Sequence, residues 1–368
     1  MMGALRARGV GGNIAAVVMV DVHNLLELEE RARGCLPRDV FDYIAGGACD
    51  ELCLSGARSA FDRIALLPRV LVDVSRRSTE IGLLGHRLRA PLIIAPTAMH
   101  VLVHREAELG MARAAARFGT VMILSTLSST PVEEVCAAAP GSVWFQLYVH
   151  RDRALAAELV ARVEAAGCRA LVLTVDAPVI GLRERDVAGV PLPPGFRAPN
   201  LRADVAIAAD DLHRYFAQMI DPSLDWDDLV WLRGCTKLPI FLKGIVRADD
   251  AGRAMDAGIS GIVVSNHGGR QLDGTIASID ALPAIAEVVG DRLPVLVDGG
   301  IRRGTDIVKA RARGADAVLL GRPTLWGLAL GGSRGVEAVL DRLLHELDVA
   351  MALCGCPDVA AIGPDLLV

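Results

Sequence analysis

The sequence predicts an α/β protein built on a (β/α)8 barrel, the TIM-barrel architecture, with an N-terminal helical cover and a long loop after strand four. Three observations predict it. Eight short runs rich in Val, Ile and Leu recur, each bounded by turn residues. They are apolar throughout rather than alternating, as expected for parallel strands covered on both faces. Helical patterns separate them, and most connections are short. A doubly wound sheet is the alternative. The count of eight argues against it, as does a glycine-rich turn after the seventh strand rather than the first.

The elements follow in chain order. Residues 1–20 carry two arginines and a short apolar patch ended by Asp21. They read as an extended start or a disordered leader, with Met19 as an alternative start. The apolar run is too short, and lacks the small-residue cleavage pattern, for a signal peptide. Residues 21–368 read as one barrel domain. A helix is expected at Leu36–Ala45, before Gly46-Gly47, within a segment that covers part of the barrel. The strands are expected at Pro91–Pro96, Met122–Thr126, Trp144–Val149, Ala170–Asp176, Pro239–Ile245, Gly261–Asn266, Pro294–Gly300 and Ala317–Pro323. Helical spacing marks Arg105–Phe118, Asp152–Ala166, Arg247–Ala257, Ile279–Val288, Arg303–Arg313 and Val336–Leu353. The long connection Ala177–Leu238 has a Pro- and Gly-rich middle, then a short helix at Asp210–Met219 and a barrel helix at Asp225–Gly234. A loop of that length on the catalytic face reads as a lid or a binding loop.

Composition excludes several classes. The 368 residues carry 39 Lys+Arg against 44 Asp+Glu, a net charge of -5, with no basic block that points to nucleic acid. Mean hydropathy is +0.39. Yet the longest uncharged stretches, such as Phe118–Val132, contain Gly, Ser, Thr and Pro and fall short of the roughly 20 apolar residues a spanning helix needs. Eight scattered cysteines show no zinc spacing, so no metal is expected, and they fit a reducing cytoplasm.

In such a barrel the chemistry sits at the C-terminal ends of the strands. That ring reads Pro96-Thr97-Ala98, Gln146 and Tyr148, Thr174 and Asp176 with Arg183 beyond. Lys243 follows, then Ser265-Asn266-His267-Gly268-Gly269-Arg270, Asp298-Gly299-Gly300-Ile301-Arg302 and Gly321-Arg322. Two functions separate. Glycines with Arg302 and Arg322 suit a phosphate dianion. Tyr43, Tyr148, Asp176, Arg183, His267 and Arg270 combine one base, one carboxylate and two cations. Paired arginines suit a substrate carboxylate, and His267 with Asp176 suits base catalysis.

The stretch Leu242–Gly274, with SNHGGRQLDG at its centre, is similar to the FMN-dependent α-hydroxy acid oxidase/dehydrogenase family. That family includes glycolate, lactate and mandelate oxidases, and the mandelate type is the nearest in character. DGGIRRGTDIVKARARGADAVLLGRP, FQLYV, TVDAP and APTAM agree, so the resemblance runs from about Asp21 to about Pro357. It implies FMN as cofactor. Pro96, Thr97 and Ala98 would line the flavin. Ser125, Gln146, Thr174 and Ser265 would hydrogen-bond it, and Lys243 would stabilise its reduced anion. Asp298, Gly299, Gly300, Ile301, Arg302, Gly321 and Arg322 would bind ribityl and phosphate. Arg183 and Arg270 would clamp the substrate carboxylate, Tyr43 and Tyr148 would donate hydrogen bonds, and His267, oriented by Asp176, would be the base. The implied reaction oxidises an (S)-2-hydroxy acid to a 2-oxo acid. Oxygen as acceptor would give hydrogen peroxide; a quinone or cytochrome is the alternative.

Departures from the family's pattern sharpen the reading. Where glycolate oxidases place Trp, this chain has Leu127, and Val179 and Ile180 are also apolar. A wider pocket favours a larger, mandelate-like acid over glycolate. One of two usual arginines is Leu182, so the role falls to Arg183 alone. Ala98 and the absence of an apolar, basic anchor in the long loop favour a soluble oxidase. The resemblance also suggests a homotetramer. His100, His104, His150 and His213 read as surface or loop residues, and Cys354 and Cys356 as inert. A non-catalytic flavin-binding scaffold and a flavin-dependent isomerase are the competing readings. The intact set of base, carboxylate and cations speaks against both.

Overall fold

The computed structural model describes residues 21–186, 192, 196, 198–201 and 212–368, with backbone only for 212–215. The expected leader at 1–20, the start of the helix expected at Asp210 and the side chains of His213 and Tyr215 lie outside the described residues.

Eight parallel strands close into a barrel. They are β3 (Leu92–Ile94), β4 (Met122–Ser125), β5 (Val143–Leu147), β6 (Leu171–Thr174), β7 (Ile240–Ile245), β8 (Gly261–Val264), β9 (Val295–Asp298) and β10 (Ala317–Leu320). Neighbours pair in chain order, and β10 closes on β3 through Leu319 opposite Ile93. A short antiparallel hairpin, β1 (Ile81–Leu83) with β2 (His86–Leu88), precedes them.

Side chains alternate between the two faces of each strand. The outward set, such as Leu92, Ile94, Met122 and Leu124, packs on the surrounding helices. The inward set forms a separate core of Ile93, Ile123, Trp144, Val172, Phe241, Val263, Leu296 and Leu319, with Leu83 and Leu88 of the hairpin joining it. Trp144 and Phe241 meet inside, ring centroids 5.2 Å apart. Two residues further along each strand the same inward direction carries Ala95, Ser125, Gln146, Thr174, Lys243, Ser265, Asp298 and Gly321. The strand period therefore places a polar ring directly above an apolar plug.

The helices between the strands are α4 (Ala107–Phe118), α5 (Val132–Ala138), α6 (Arg153–Ala165), α7 (Leu212–Met219), α8 (Asp228–Cys235), α9 (Ala248–Asp256), α10 (Ser278–Val289), α11 (Gly304–Ala312) and α12 (Arg322–Leu353). Three features exceed the sequence reading. The seven-residue α5 is too short to show a period. Gly331 and Gly332 interrupt α12, whose first half, ahead of the expected Val336, begins at the end of β10. The N-terminal cover holds three helices, α1 (Leu25–Arg33), α2 (Arg38–Ala45) and α3 (Leu52–Asp62). Pro37 stands at the N-cap of α2, shortening the expected element by two residues. No helix among the described residues is long and apolar enough to cross a membrane.

The cover docks through charge. The C-terminal carbonyls of α2 carry the negative end of its dipole. Arg322 donates to Ile44 O and Gly46 O at 2.9 Å each, and Arg270 donates to Tyr43 O and Gly46 O at 2.8 Å each. Two barrel arginines thus satisfy carbonyls that a helix end leaves open.

Candidate active site

A pocket opens at the C-terminal end of the barrel. It is lined by Tyr43, Pro96, Thr97, Ala98, Ser125, Leu127, Gln146, Tyr148, Thr174, Arg183, Lys243, His267, Arg270, Asp298, Gly299, Gly300, Ile301, Arg302, Gly321 and Arg322. Asp176 and Ser265 stand immediately behind, each bonded to a lining residue. The expected site residues therefore converge on one cavity. Ile180 lines it too, whereas Val179 is 63% exposed and is not among the lining residues, so the apolar wall attributed to Val179 is corrected.

His267 sits where β8 ends. Its φ of +59 lies in the left-handed region, followed by Gly268 and Gly269 at +64 and +74. Such a conformation costs a non-glycine residue of order 1–3 kcal/mol and clusters at functional sites. Nδ1 lies 2.9 Å from Asp176 Oδ1. A carboxylate there keeps the proton on Nδ1 and leaves Nε2 as the free basic atom. Burial pushes the His267 pKa below its ordinary value; Asp176 opposes this, while Lys243 and Arg183 add to it. Burial works against the Asp176 charge, but His267 and Lys243 outweigh it and hold that carboxyl below the usual range. Gly244, on β7, makes the approach possible: at its φ of +116, a Cβ would meet the Asp176 carboxyl carbon at 2.6 Å.

Lys243 is buried and bonds Asp298 Oδ2 at 3.1 Å and Ser265 Oγ at 2.9 Å. Burial disfavours its charge, yet Asp298 and Asp176 prevail and raise its pKa, so it stays an ammonium. Ser125, Gln146 and Thr174 form a chain: Gln146 Nε2 donates to Thr174 Oγ1 at 3.0 Å and Ser125 Oγ donates to Gln146 Oε1 at 3.3 Å. Tyr43 and Tyr148 are both raised, chiefly by burial, and remain hydrogen-bond donors. Arg183 reaches Arg270 O at 3.2 Å and Gln271 Oε1 at 3.3 Å. Arg270 stacks its guanidinium over the Tyr43 ring, 5.2 Å from the centroid.

The cations near strands β9 and β10 differ. Arg302 and Arg322 have no carboxylate partner among the described residues. Burial lowers both; for Arg322, repulsion from Arg270 and Arg302 adds to it and the value falls to about 9. Arg270 is pushed down to about 10, by burial and then by Arg183. Asp298 Oδ1 is buried with no partner. Gly300, at φ +79, leaves no room for a Cβ, which would lie 2.5 Å from Ala57 O. A concentrated, uncompensated positive charge on a glycine turn, with a free carboxylate oxygen beside it, fits a group that brings a dianion and hydroxyls.

Some residues escaped sequence reasoning. Gln271 braces the loop after β6, donating to Val179 O at 2.8 Å and Asp176 O at 3.1 Å. Its only signal is its place beside Arg270 in the motif. Phe216 on α7 lines the pocket and meets Tyr148 edge-on at 5.1 Å. His100 and His150 are not surface residues: both are buried. His100 lies 2.7 Å from Thr97 Oγ1, and its backbone N–H donates to Glu108 at 3.0 Å. Glu108, wholly buried on α4, also accepts from Ser129 and Thr130. It joins the loops after β3 and β4, which carry Thr97 and Leu127. Among the described residues no group of three or more His, Cys, Asp or Glu could hold a metal ion.

A barrel whose rim joins a cationic glycine turn to a His–Asp pair and a buried lysine has the form of an enzyme that takes a phosphate-bearing cofactor. The chain belongs to the FMN-dependent dehydrogenase family, whose model matches residues 32–368. Its cofactor is FMN, and it is an oxidoreductase of the 2-hydroxy acid oxidase group. It is 52% identical to an L-lactate oxidase of Nostoc sp., over 94% of this chain and 97% of that one. It is 47% identical to the peroxisomal (S)-2-hydroxy-acid oxidase GLO4 of Oryza sativa subsp. japonica, over 92% and 94%. A solved mandelate oxidase with (S)-4-hydroxymandelic acid superposes with a TM-score of 0.88 at 43% identity, covering 94% of this chain and 98% of that one.

Proposed function

We propose that this enzyme oxidises a bulky, preferably aromatic (S)-2-hydroxy acid to the 2-oxo acid, with oxygen as acceptor and hydrogen peroxide as product. The observation that carries the reading is the His267–Asp176 pair, 2.9 Å apart, on a pocket that also presents Arg183, Arg270 and two tyrosines. Bound FMN supplies the electron acceptor for the two electrons that leave the α-carbon.

The chain's own residues do the rest. Arg183 and Arg270 hold the substrate carboxylate, and fixed orientation lowers the barrier. Tyr43 and Tyr148 stay protonated and donate to the carboxylate and hydroxyl. His267, held neutral by burial, takes a proton at Nε2, and Asp176 stabilises the imidazolium. Lys243 remains charged beside the ring of Ser125, Gln146, Thr174 and Ser265, where it offsets negative charge gained by the flavin. Pro96, Thr97 and Ala98 line that ring. Asp298, Gly299, Gly300, Ile301, Arg302, Gly321 and Arg322 hold the ribityl chain and phosphate.

Leu127, Ile180 and Phe216 form the wall facing the α-substituent. Their apolar surface supports an aromatic or branched side chain, and the superposition on mandelate oxidase supports the same class. The oxidase names of the relatives support oxygen as acceptor. Eight free thiols support a reducing, cytoplasmic setting, and family resemblance supports a homotetramer. The test is oxygen uptake with parallel peroxide assay on (S)-mandelate, (R)-mandelate, L-lactate and glycolate. The reading expects one peroxide per oxygen and the highest kcat/KM for (S)-mandelate. Preference for glycolate would overturn the substrate class, and turnover only with a quinone would overturn the acceptor.

A further inference from the structure

Away from the catalytic pocket, two thiols touch. Cys136 lies on α5 and Cys168 in the turn between α6 and β6; their Sγ atoms are 3.4 Å apart. Both are buried in the apolar layer outside the barrel. They are 32 positions apart in sequence, so the fold alone brings them together.

We propose that Cys136 and Cys168 form a peroxide-oxidisable dithiol, a modification site distinct from the catalytic pocket, which closes to a disulfide. The Cys136 sulfur attacks one oxygen of hydrogen peroxide. An S–O bond forms, the O–O bond breaks, and the departing hydroxide takes the thiol proton as water. The Cys168 sulfur then attacks the Cys136 sulfur. The S–S bond forms, the S–O bond breaks, and the second oxygen leaves as water with the Cys168 proton. Two electrons from the sulfurs reduce one peroxide to two waters.

The contact decides the outcome. A sulfenic acid with a thiol against it condenses to a disulfide before a second peroxide can carry it to sulfinic acid. The hydrogen bond from Cys168 also eases ionisation of Cys136, the attacking sulfur. Cys35 and Cys49 are exposed and have no thiol partner among the described residues, so they follow the irreversible route. Peroxide is close to water in size and reaches buried positions through local openings. The crosslink ties α5 to the entry of β6 at the end of the barrel opposite the pocket, so it leaves the rim unchanged.

The oxidant is what the proposed oxidase reaction releases, and to that extent the source rests on that reading; the dithiol chemistry does not. The experiment treats the holoenzyme with hydrogen peroxide, blocks residual thiols, and maps tryptic peptides without reduction. Peptides 118–151 and 163–169 should stay joined, two hydrogens lighter than their sum, until a reductant separates them. Cys168→Ser should abolish the joined species and send Cys136 to sulfinic acid. Recovery of both peptides separately with blockable thiols, while Cys35 and Cys49 are oxidised, would overturn the proposal. The wild-type map decides this even if the variant does not fold. A second arm replaces added peroxide by turnover with (S)-mandelate, with and without catalase. A crosslink with added peroxide but none during turnover counts against the oxidase reading and leaves the dithiol standing.

Discussion

The two halves of the rim solve the problem of buried charge in opposite ways. Where β6, β7 and β8 end, the lysine and the base have carboxylates: Lys243 has Asp298, reaching over from β9, and His267 has Asp176, whereas Arg270, beyond β8, bonds backbone carbonyls. On the side built from β9 and β10, Arg302 and Arg322 have only backbone carbonyls among the described residues. A paired buried charge is already compensated and holds its geometry. An unpaired buried cation is disfavoured until an anion arrives. The first arrangement suits groups that act repeatedly during a reaction, and the second suits a site that binds a dianion once and keeps it.

The contrast breaks most readily at His267. The variant His267→Ala is expected to keep FMN and to lose about 10²- to 10⁴-fold in the rate of flavin reduction, the usual contribution of a positioned base. Stopped-flow reduction at saturating substrate measures it; an unchanged rate would remove His267 from the base role. Asp176→Asn should fall in the same direction, because the amide cannot stabilise imidazolium.

On the other side, Arg302→Met removes one cation that, among the described residues, hydrogen-bonds only to Ile301 O. Calorimetric titration of the apoprotein should show FMN affinity weakened roughly 10- to 150-fold, the equivalent of one charge-assisted hydrogen bond at about 1.5–3 kcal/mol. The apoprotein should melt no lower than the parent. A lower melting point with unchanged FMN affinity would assign Arg302 a structural role.

The pH profile probes the paired side without mutation. The folded pKa of His267 lies below 6.5, because burial disfavours its charged form. The neutral base therefore persists to lower pH than in a free imidazole. kcat/KM should fall about tenfold per unit only below the ordinary histidine range, as protonation removes the base. An acid limb above 6.5 would mean that Asp176 outweighs burial.

The smallest expected change is one of preference. Leu127→Trp narrows the pocket and should shift the ratio of kcat/KM for (S)-mandelate over glycolate about tenfold toward glycolate, within the range that pocket contacts of this size supply. An unchanged ratio would place the aromatic group away from Leu127.

The barrel and its rim were legible for a physical reason. Parallel strands buried on both faces leave continuous apolar runs, and a period of two then points Ser125, Gln146, Thr174, Lys243 and Asp298 into the same space. The SNHGGRQLDG run supplied His267 and Arg270 as a unit. What escaped is non-local. Glu108 has the sequence context of a solvated helix charge, and only Ser129 and Thr130, brought up from another loop, make it a buried hub. Phe216 belongs to a connection whose path no periodicity sets. The contact between Cys136 and Cys168 depends on α5, a helix with too few residues to declare itself.

The central claim is that this rim takes electrons from a 2-hydroxy acid into bound FMN. Anaerobic mixing of the purified yellow holoenzyme with (S)-mandelate, (R)-mandelate, L-lactate and glycolate tests it most directly. The account predicts that (S)-mandelate bleaches the flavin band fastest and that its enantiomer leaves the band unchanged. A flavin that no 2-hydroxy acid bleaches would contradict it.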